Sequence, residues 1–308
     1  MRKYLSMILV GIMLSACSPT NAGDATKDSL VKDNSEKVEV VENIDKNEVL
    51  MTEIKESIIH TNENTIGDRF GVLEGFERVE LPEDSFGDYL RNLPLKAHGE
   101  SVYYYNGREK VNYDVYEAVV DMDIGDRDLQ QCADAIMRLK GEYLYNNNRF
   151  DEIHFNLTNG FRMDYSKWIE GNRLVVEGNK TYWNKKASKS NTYDDFRKYM
   201  DMVFSYAGTL SLSNELVDVD CSDMEIGDIF IQGGSPGHAV IVVDMAINND
   251  TGEKAYILAQ SYMPAQDIHI LTNQYHEDKS PWYILGCGEI IRTPEWTFTR
   301  NDLKRFAK

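Results

Sequence analysis

Between residues 227 and 260 the chain carries three apolar runs separated by turns, and this stretch restricts the fold more than any other. Gly227-Asp228 introduces Ile229-Phe230-Ile231, Gln232-Gly233-Gly234-Ser235-Pro236-Gly237 has the composition of a tight turn, and His238-Ala239-Val240-Ile241-Val242-Val243-Asp244 returns. After the polar turn Asn248-Asn249-Asp250-Thr251-Gly252, the segment Lys254-Ala255-Tyr256-Ile257-Leu258-Ala259-Gln260 makes a third run. Short apolar runs joined by glycine- and asparagine-rich turns specify consecutive antiparallel strands. An antiparallel sheet is therefore expected here.

His238 opens the second strand directly after a glycine. At a strand mouth an imidazole has room to meet both a substrate and a thiol, while the apolar run behind it holds the ring still. Gln260 closes the third run, and antiparallel pairing brings it beside His238, where a polar side chain orients an imidazole through one ring nitrogen. Asn273 and Asp244 are rival orienting residues, with Asp244 at the far end of its strand from His238.

Upstream the period changes. Leu129, Cys132, Ala133, Ile136, Met137 and Tyr143 recur at intervals of three and four, the spacing of a buried helical face. Asp126 or Asp128 is placed to cap the helix, and Gly125 to end the preceding strand. Cys132 then falls in the first or second turn, where the positive end of the helix dipole favours the thiolate, the form that attacks a carbonyl carbon. The competing reading is a core residue, because Cys is among the most often buried residue types.

Charge and cysteine usage narrow the function. Lys plus Arg number 33 against 51 Asp plus Glu, a formal charge of -18, which excludes a broad basic footprint for nucleic acid. Four cysteines without a Cys-x-x-Cys pair make neither a disulfide scaffold nor a zinc site. His154, His269 and His276 are scattered, and no metal or cofactor site is read. Cys221 and Cys287 are either core residues or partners in one disulfide.

The amino terminus has Arg2 and Lys3, an apolar stretch from Met7 to Leu14, and then Leu14-Ser15-Ala16-Cys17. This pattern predicts a secretory signal over residues 1–16, too short to span a bilayer. Residues 17–63, rich in Asp, Glu, Lys, Asn and Ser, read as an acidic tether. Residues 64–308 read as one domain, with the stretch Asn147 to Leu216 inserted between Cys132 and His238. Within that insertion Phe161-Arg162-Met163-Asp164-Tyr165-Ser166-Lys167-Trp168 and Tyr182-Trp183 suit either sugar rings and peptide stems or ordinary packing.

Two resemblances follow from these residues. Leu14-Ser15-Ala16-Cys17 resembles the lipobox of bacterial lipoproteins, which implies lipidation of Cys17 and an extracytoplasmic, membrane-anchored protein; Ser18 implies the outer membrane in a diderm cell. The ordered set of Cys132, His238 and Gln260 resembles the papain-like cysteine hydrolases, and within them the bacterial CHAP and NlpC-type cell-wall enzymes. Gln131-Cys132 is similar to the pair that opens the CHAP catalytic helix, and Gly227-Asp228-Ile229-Phe230 followed by Gly237-His238-Ala239-Val240 is similar to the hairpin of those enzymes. Over its folded part the chain also resembles a bacterial family called domain of unknown function 4846.

The papain-like resemblance implies an α+β fold whose catalytic helix packs on an antiparallel sheet. It implies Cys132 as nucleophile, His238 as base and Gln260 as third residue, with the Cys132 N–H and Gln130 or Gln131 as oxyanion donors. The function implied is a lipid-anchored cysteine amidase or peptidase acting on peptidoglycan stem peptides. The alternative is a non-catalytic envelope binding or assembly module on the same fold, and a transglutaminase-like acyl transferase is a third.

Overall fold

The computed structural model describes residues 57–178, 180–286 and 290–307. Cys17, the signal stretch, most of the tether and Cys287 lie outside them. The described residues form one compact unit.

The three apolar runs fold as consecutive antiparallel strands, Ile229–Gln232, His238–Ile247 and Lys254–Gln260. Ile241 is paired with Ile229 on one side and Ala259 on the other. They form the middle of a nine-stranded sheet. Beyond Lys254–Gln260 the main path adds His269–Leu271 and Tyr116–Val119; beyond Ile229–Gln232 it adds Leu303–Arg305 and Val217–Asp218. All of these pairings are antiparallel, so the protein is α+β with a large antiparallel sheet.

The strand His238–Ile247 is buried from His238 through Ala246, which is why its sequence reads as an apolar run rather than an alternation. Its side chains divide between two cores. Ala239, Ile241 and Val243 join the larger one, while Val240 and Val242 join Phe230, Tyr256, Leu258 and Phe298 on the opposite face. The helix Cys132–Asn146 contributes Ala133, Ala135, Ile136, Met137 and Leu139 to the larger core. Gly141 lets the helix Tyr193–Phe204 come close, since a Cβ there would stand 3.2 Å from the Met200 sulfur and 3.3 Å from the Phe196 ring.

The helix start departs from expectation. Helical hydrogen bonding begins at Cys132, with Gln131 as N-cap, and neither Asp126 nor Asp128 caps it. Asp128 is engaged elsewhere, accepting the Ala265 N–H at 2.7 Å and Gln131 Nε2 at 3.0 Å. Asp134, inside the first turn, accepts the Gln131 N–H instead.

The folded part also begins earlier than residue 64. Ile59 bridges to Phe70, and the Gly71 N–H donates to the Ile58 carbonyl. The two isoleucines pack on the larger core, and apolar burial outweighs the polar composition around them.

The described part of residues 147–216 forms two hairpins, His154–Asn156 with Arg162–Asp164 and Asn172–Glu177 with Lys180–Lys185, together with three α-helices and one 3-10 helix. Tyr165 and Trp168 are buried, with ring centroids 5.0 and 5.8 Å from that of Tyr199. These aromatics are core, which leaves no ring face of either open to a sugar.

Candidate active site

The site is assembled at the mouth of the central hairpin. A Cβ on Gly237 would lie 2.5 Å from Thr209 Oγ1, 2.6 Å from the Gly234 carbonyl oxygen and 2.7 Å from that of Gln232. Glycine is required there so that the turn can close on the helix Thr209–Glu215, not to make space for a substrate beside His238. The closed turn fixes where His238 starts its strand.

His238 Nε2 lies 2.8 Å from Gln260 Oε1, so the expected pair forms. The register explains it. With Leu258 opposite Val242 and Ala259 opposite Ile241, Gln260 continues across from Val240 and emerges on the same face as His238, one diagonal step away. The imidazole packs against Tyr262, Trp296 and Phe298 at centroid distances of 4.7, 5.4 and 6.0 Å. Burial pulls its pKa down to about 4, the Gln260 hydrogen bond opposes this, and nearby Lys110 adds to it. The ring is therefore neutral at neutral pH.

Cys132 is the first residue of its helix and is buried. The thiol is pushed up to about 11, first by burial and then by the Asp134 carboxylate, against the favourable N–H groups of Ala133, Ala239 and Cys132 itself. This corrects the expectation of a thiolate at rest. The helix-end N–H groups are present, but desolvation of the charged form outweighs them. Asp134 is itself raised to about 8 by burial, and its Oδ1 has no hydrogen-bond partner.

Cys132 and His238 line the same cavity of about 630 Å³. Phe204, Ala207, Leu210, Pro236, Met263 and Trp296 give it apolar walls, and among the described residues Asp128 and Asp134 are the acidic side chains that line it. Among the described residues no hydrogen bond joins the thiol to the imidazole. The faces account for this: the helix packs on the larger core, whereas His238 stacks with Phe298 of the other, and the two meet only where the strand begins.

Behind Gln260 lies a polar cluster that sequence reasoning missed. Gln260 Nε2 donates to Glu295 Oε2 at 2.7 Å and stands 3.2 Å from His269 Nε2. Lys110 Nζ, almost fully buried, donates to both Glu295 oxygens at 2.9 and 2.8 Å and to Gln266 Oε1 at 3.0 Å. His269, read as one of three scattered histidines, is thus part of the site. It lies directly opposite Gln260 in the strand pairing, a neighbour that becomes visible only once the third and fourth strands are set in register.

The remaining sequence candidates fall as follows. Gln131 lines the cavity, with Nε2 donating to Asp128. Gln130 does not line it; its Oε1 accepts from Arg138 Nη1 at 2.9 Å, and its buried Nε2 has no partner. Asp244 is held by Arg78 and Arg91, and Asn273 Nδ2 donates to the Trp282 carbonyl, so neither orients His238. Cys221 is a buried free thiol facing the Arg300 carbonyl at 3.5 Å. Among the described residues no group of three or more His, Cys, Asp or Glu is arranged to hold a metal ion, and no helix is long and apolar enough to cross a membrane.

No curated protein and no solved structure matches the chain. A family model does: residues 66–305 match the family described as Domain of unknown function (4846), and the chain belongs to it.

Proposed function

We propose that this member of the domain of unknown function 4846 family is a papain-like cysteine hydrolase that cleaves amide bonds. The observation that carries the reading is a thiol at a helix start and an imidazole lining one cavity, the imidazole held through Nε2 by a side-chain amide. The site starts neutral, as thiol and imidazole, so proton transfer accompanies attack rather than preceding it. His238 takes the Cys132 proton as the sulfur adds to the amide carbonyl. The N–H groups of Cys132, Ala133 and Ala239 face the sulfur and steady the charge that develops on it, and the Cys132 N–H at the helix start serves as oxyanion donor. The C–N bond then breaks, and His238 returns the proton to the leaving amine. Water, deprotonated by His238, hydrolyses the thioester and releases the acid and the thiol. Thiol–imidazole hydrogen bonds in such sites commonly tighten only with substrate bound.

Lipidation of Cys17 would hold this domain outside the cytoplasm on a membrane, the outer membrane in a diderm, and peptidoglycan stem peptides are the amide substrate such a location supplies. No cofactor enters the mechanism, and the net charge of -18 argues against a nucleic-acid partner.

A second reading, a non-catalytic envelope binding module, is favoured by the raised thiol and by the absence of a thiol–imidazole bond among the described residues. One experiment separates them. Purified peptidoglycan is digested with the wild type and Cys132→Ser, and released stem peptides are measured by mass spectrometry. The hydrolase reading expects release by the wild type and a loss of about 10³-fold or more in the variant. No release by the wild type, with both proteins retained equally on peptidoglycan, establishes the binding module instead.

A further inference from the structure

We propose that Glu295 and His269 are positioning residues that lock the Gln260 amide, so that His238 keeps its proton on Nε2 and leaves Nδ1 as the basic nitrogen. The catalytic consequence rests on the hydrolase reading above; the proton placement does not.

Acceptors that cannot donate fix where the protons sit. A backbone carbonyl only accepts, and the Asp267 carbonyl oxygen lies 2.9 Å from His269 Nδ1, so His269 carries its proton there. Its Nε2 is then a lone pair, 3.2 Å from Gln260. Glu295, paired with Lys110, offers a second acceptor at 2.7 Å from the same Gln260 atom. Two acceptors on one side oblige Gln260 to turn its NH₂ toward them, one hydrogen for each. Its oxygen is left facing His238, and an oxygen 2.8 Å from Nε2 requires a proton on Nε2.

The burial of both rings supports this placement. His238 and His269 are both shifted toward the neutral form, so each has one proton and one lone pair to assign. His238 Nδ1 has no hydrogen-bond partner among the described residues. The chain of bonds thus has one direction, from the His238 Nε2–H through Gln260 and His269 to the Asp267 carbonyl. Reversing the amide would set its NH₂ against His238 Nε2, force the proton to Nδ1 and remove the base. It would also turn Oε1 toward the Glu295 carboxylate. Lys110 serves the lock by neutralising that carboxylate inside the fold, its Nζ reaching both oxygens.

The test reads proton placement rather than turnover. The full chain, labelled with ¹⁵N-imidazole histidine and held in detergent, is examined by NMR near pH 7, with the His238 signals assigned by their loss in His238→Gln. The expected spectrum has a proton-bearing Nε2 and a pyridine-type Nδ1. The opposite tautomer in the wild type overturns the proposal outright and needs no variant. Glu295→Gln, which has nearly the same shape but can donate as well as accept, should shift the population toward the Nδ1–H form. Glu295→Asp should restore the wild-type pattern, and His269→Phe should act like Glu295→Gln. Unchanged tautomers in folded Glu295→Gln and His269→Phe also overturn it. Where turnover is measurable, Glu295→Gln should lower kcat/KM by about 10–100-fold with KM little changed, and Glu295→Asp should recover most of it. Wild type that shows the expected tautomer and its shifts but releases no peptide refutes the hydrolase reading and leaves the positioning intact.

Discussion

At one end of the strand His238–Ile247, Asp244 is fully buried and accepts Arg78 Nε at 2.8 Å, Arg91 Nε at 2.7 Å and the Met245 N–H at 2.9 Å. At the other end His238, equally buried, has one partner on Nε2 and none on Nδ1 among the described residues. Both clusters sit on one strand and both place polar atoms in the core. The first uses its acceptor capacity on structure, and what it does is hold the segments bearing Arg78 and Arg91 to the sheet. The second keeps a lone pair in reserve beside a cavity. A histidine that lines a cavity beside a thiol, with one ring nitrogen held by the protein and the other without a protein partner, marks where a ligand completes the bonding.

Exchanging the two roles gives the largest expected effects. His238→Gln should abolish stem-peptide release, by about 10³-fold or more, while changing the urea unfolding free energy by less than about 1.5 kcal/mol, because glutamine can still bond to Gln260. Asp244→Ala should do the reverse. It strands two guanidinium groups and should cost about 3 kcal/mol, the low end for a broken buried pair since Arg78 and Arg91 keep some solvent contact, with turnover per folded molecule preserved. If Asp244→Ala stops turnover in protein shown to be folded, the two ends of the strand are not separate in function.

How far each cluster could be read from the sequence follows from the range of its contacts. His238 and Gln260 were legible because local turns fix a hairpin register, and one register fixes one diagonal neighbour. Glu295 was not, because it reaches Gln260 across 35 residues of chain and several turns. Lys110 comes from the other side of the sequence, 185 residues from its carboxylate partner. No periodicity carries such pairings. Cys132 lies in between: its helix is readable, yet its spacing points to Asp126 or Asp128 as N-cap, since nothing local reveals that Asp128 is taken by the Ala265 N–H. The thiol's charge state is hidden from the sequence for a related reason. Dipole direction is a local property, whereas desolvation belongs to the whole fold.

Gly237→Ala tests the turn that separates the two ends' fates. The added methyl meets Thr209 Oγ1 and two carbonyl oxygens, none of them the far end of a flexible chain, so a loss of about 1–3 kcal/mol is expected. Because the displaced backbone carries His238, turnover should fall in protein that remains folded, whereas the Asp244 end should keep its hydrogen-exchange protection. Equal loss of protection at both ends would show that the strand responds as a rigid whole. Thr209→Ala combined with Gly237→Ala should recover part of the stability by removing the closest of the three contacts.

The smallest effect concerns the carboxylate beside the thiol. Burial holds Asp134 up at about 8, so between its ordinary value of 3.8 and that point the folded chain keeps a proton the unfolded chain releases. Its contribution to stability is therefore complete below about pH 3.8 and is lost as pH rises through 8. His238 slopes the other way: its contribution is present above 6.5 and is lost as pH falls through about 4. Asp134→Asn keeps an oxygen for the Gln131 N–H while removing the titration, so its stability advantage over the wild type, from urea unfolding at several pH values, should grow from pH 5 to pH 9. The same variant acts on the thiol. Asp134 is already ionised when Cys132 titrates near 11, and its charge is the second cause of that high value. The inflection in the pH profile of iodoacetamide labelling at Cys132 should therefore move down, yet stay above the ordinary 9.0, because burial, the larger cause, is untouched. A labelling profile that does not move, together with a stability difference flat in pH, would mean that Asp134 is neither titrating nor felt by the sulfur, and the cavity's acidic side would then be no more than a helix cap.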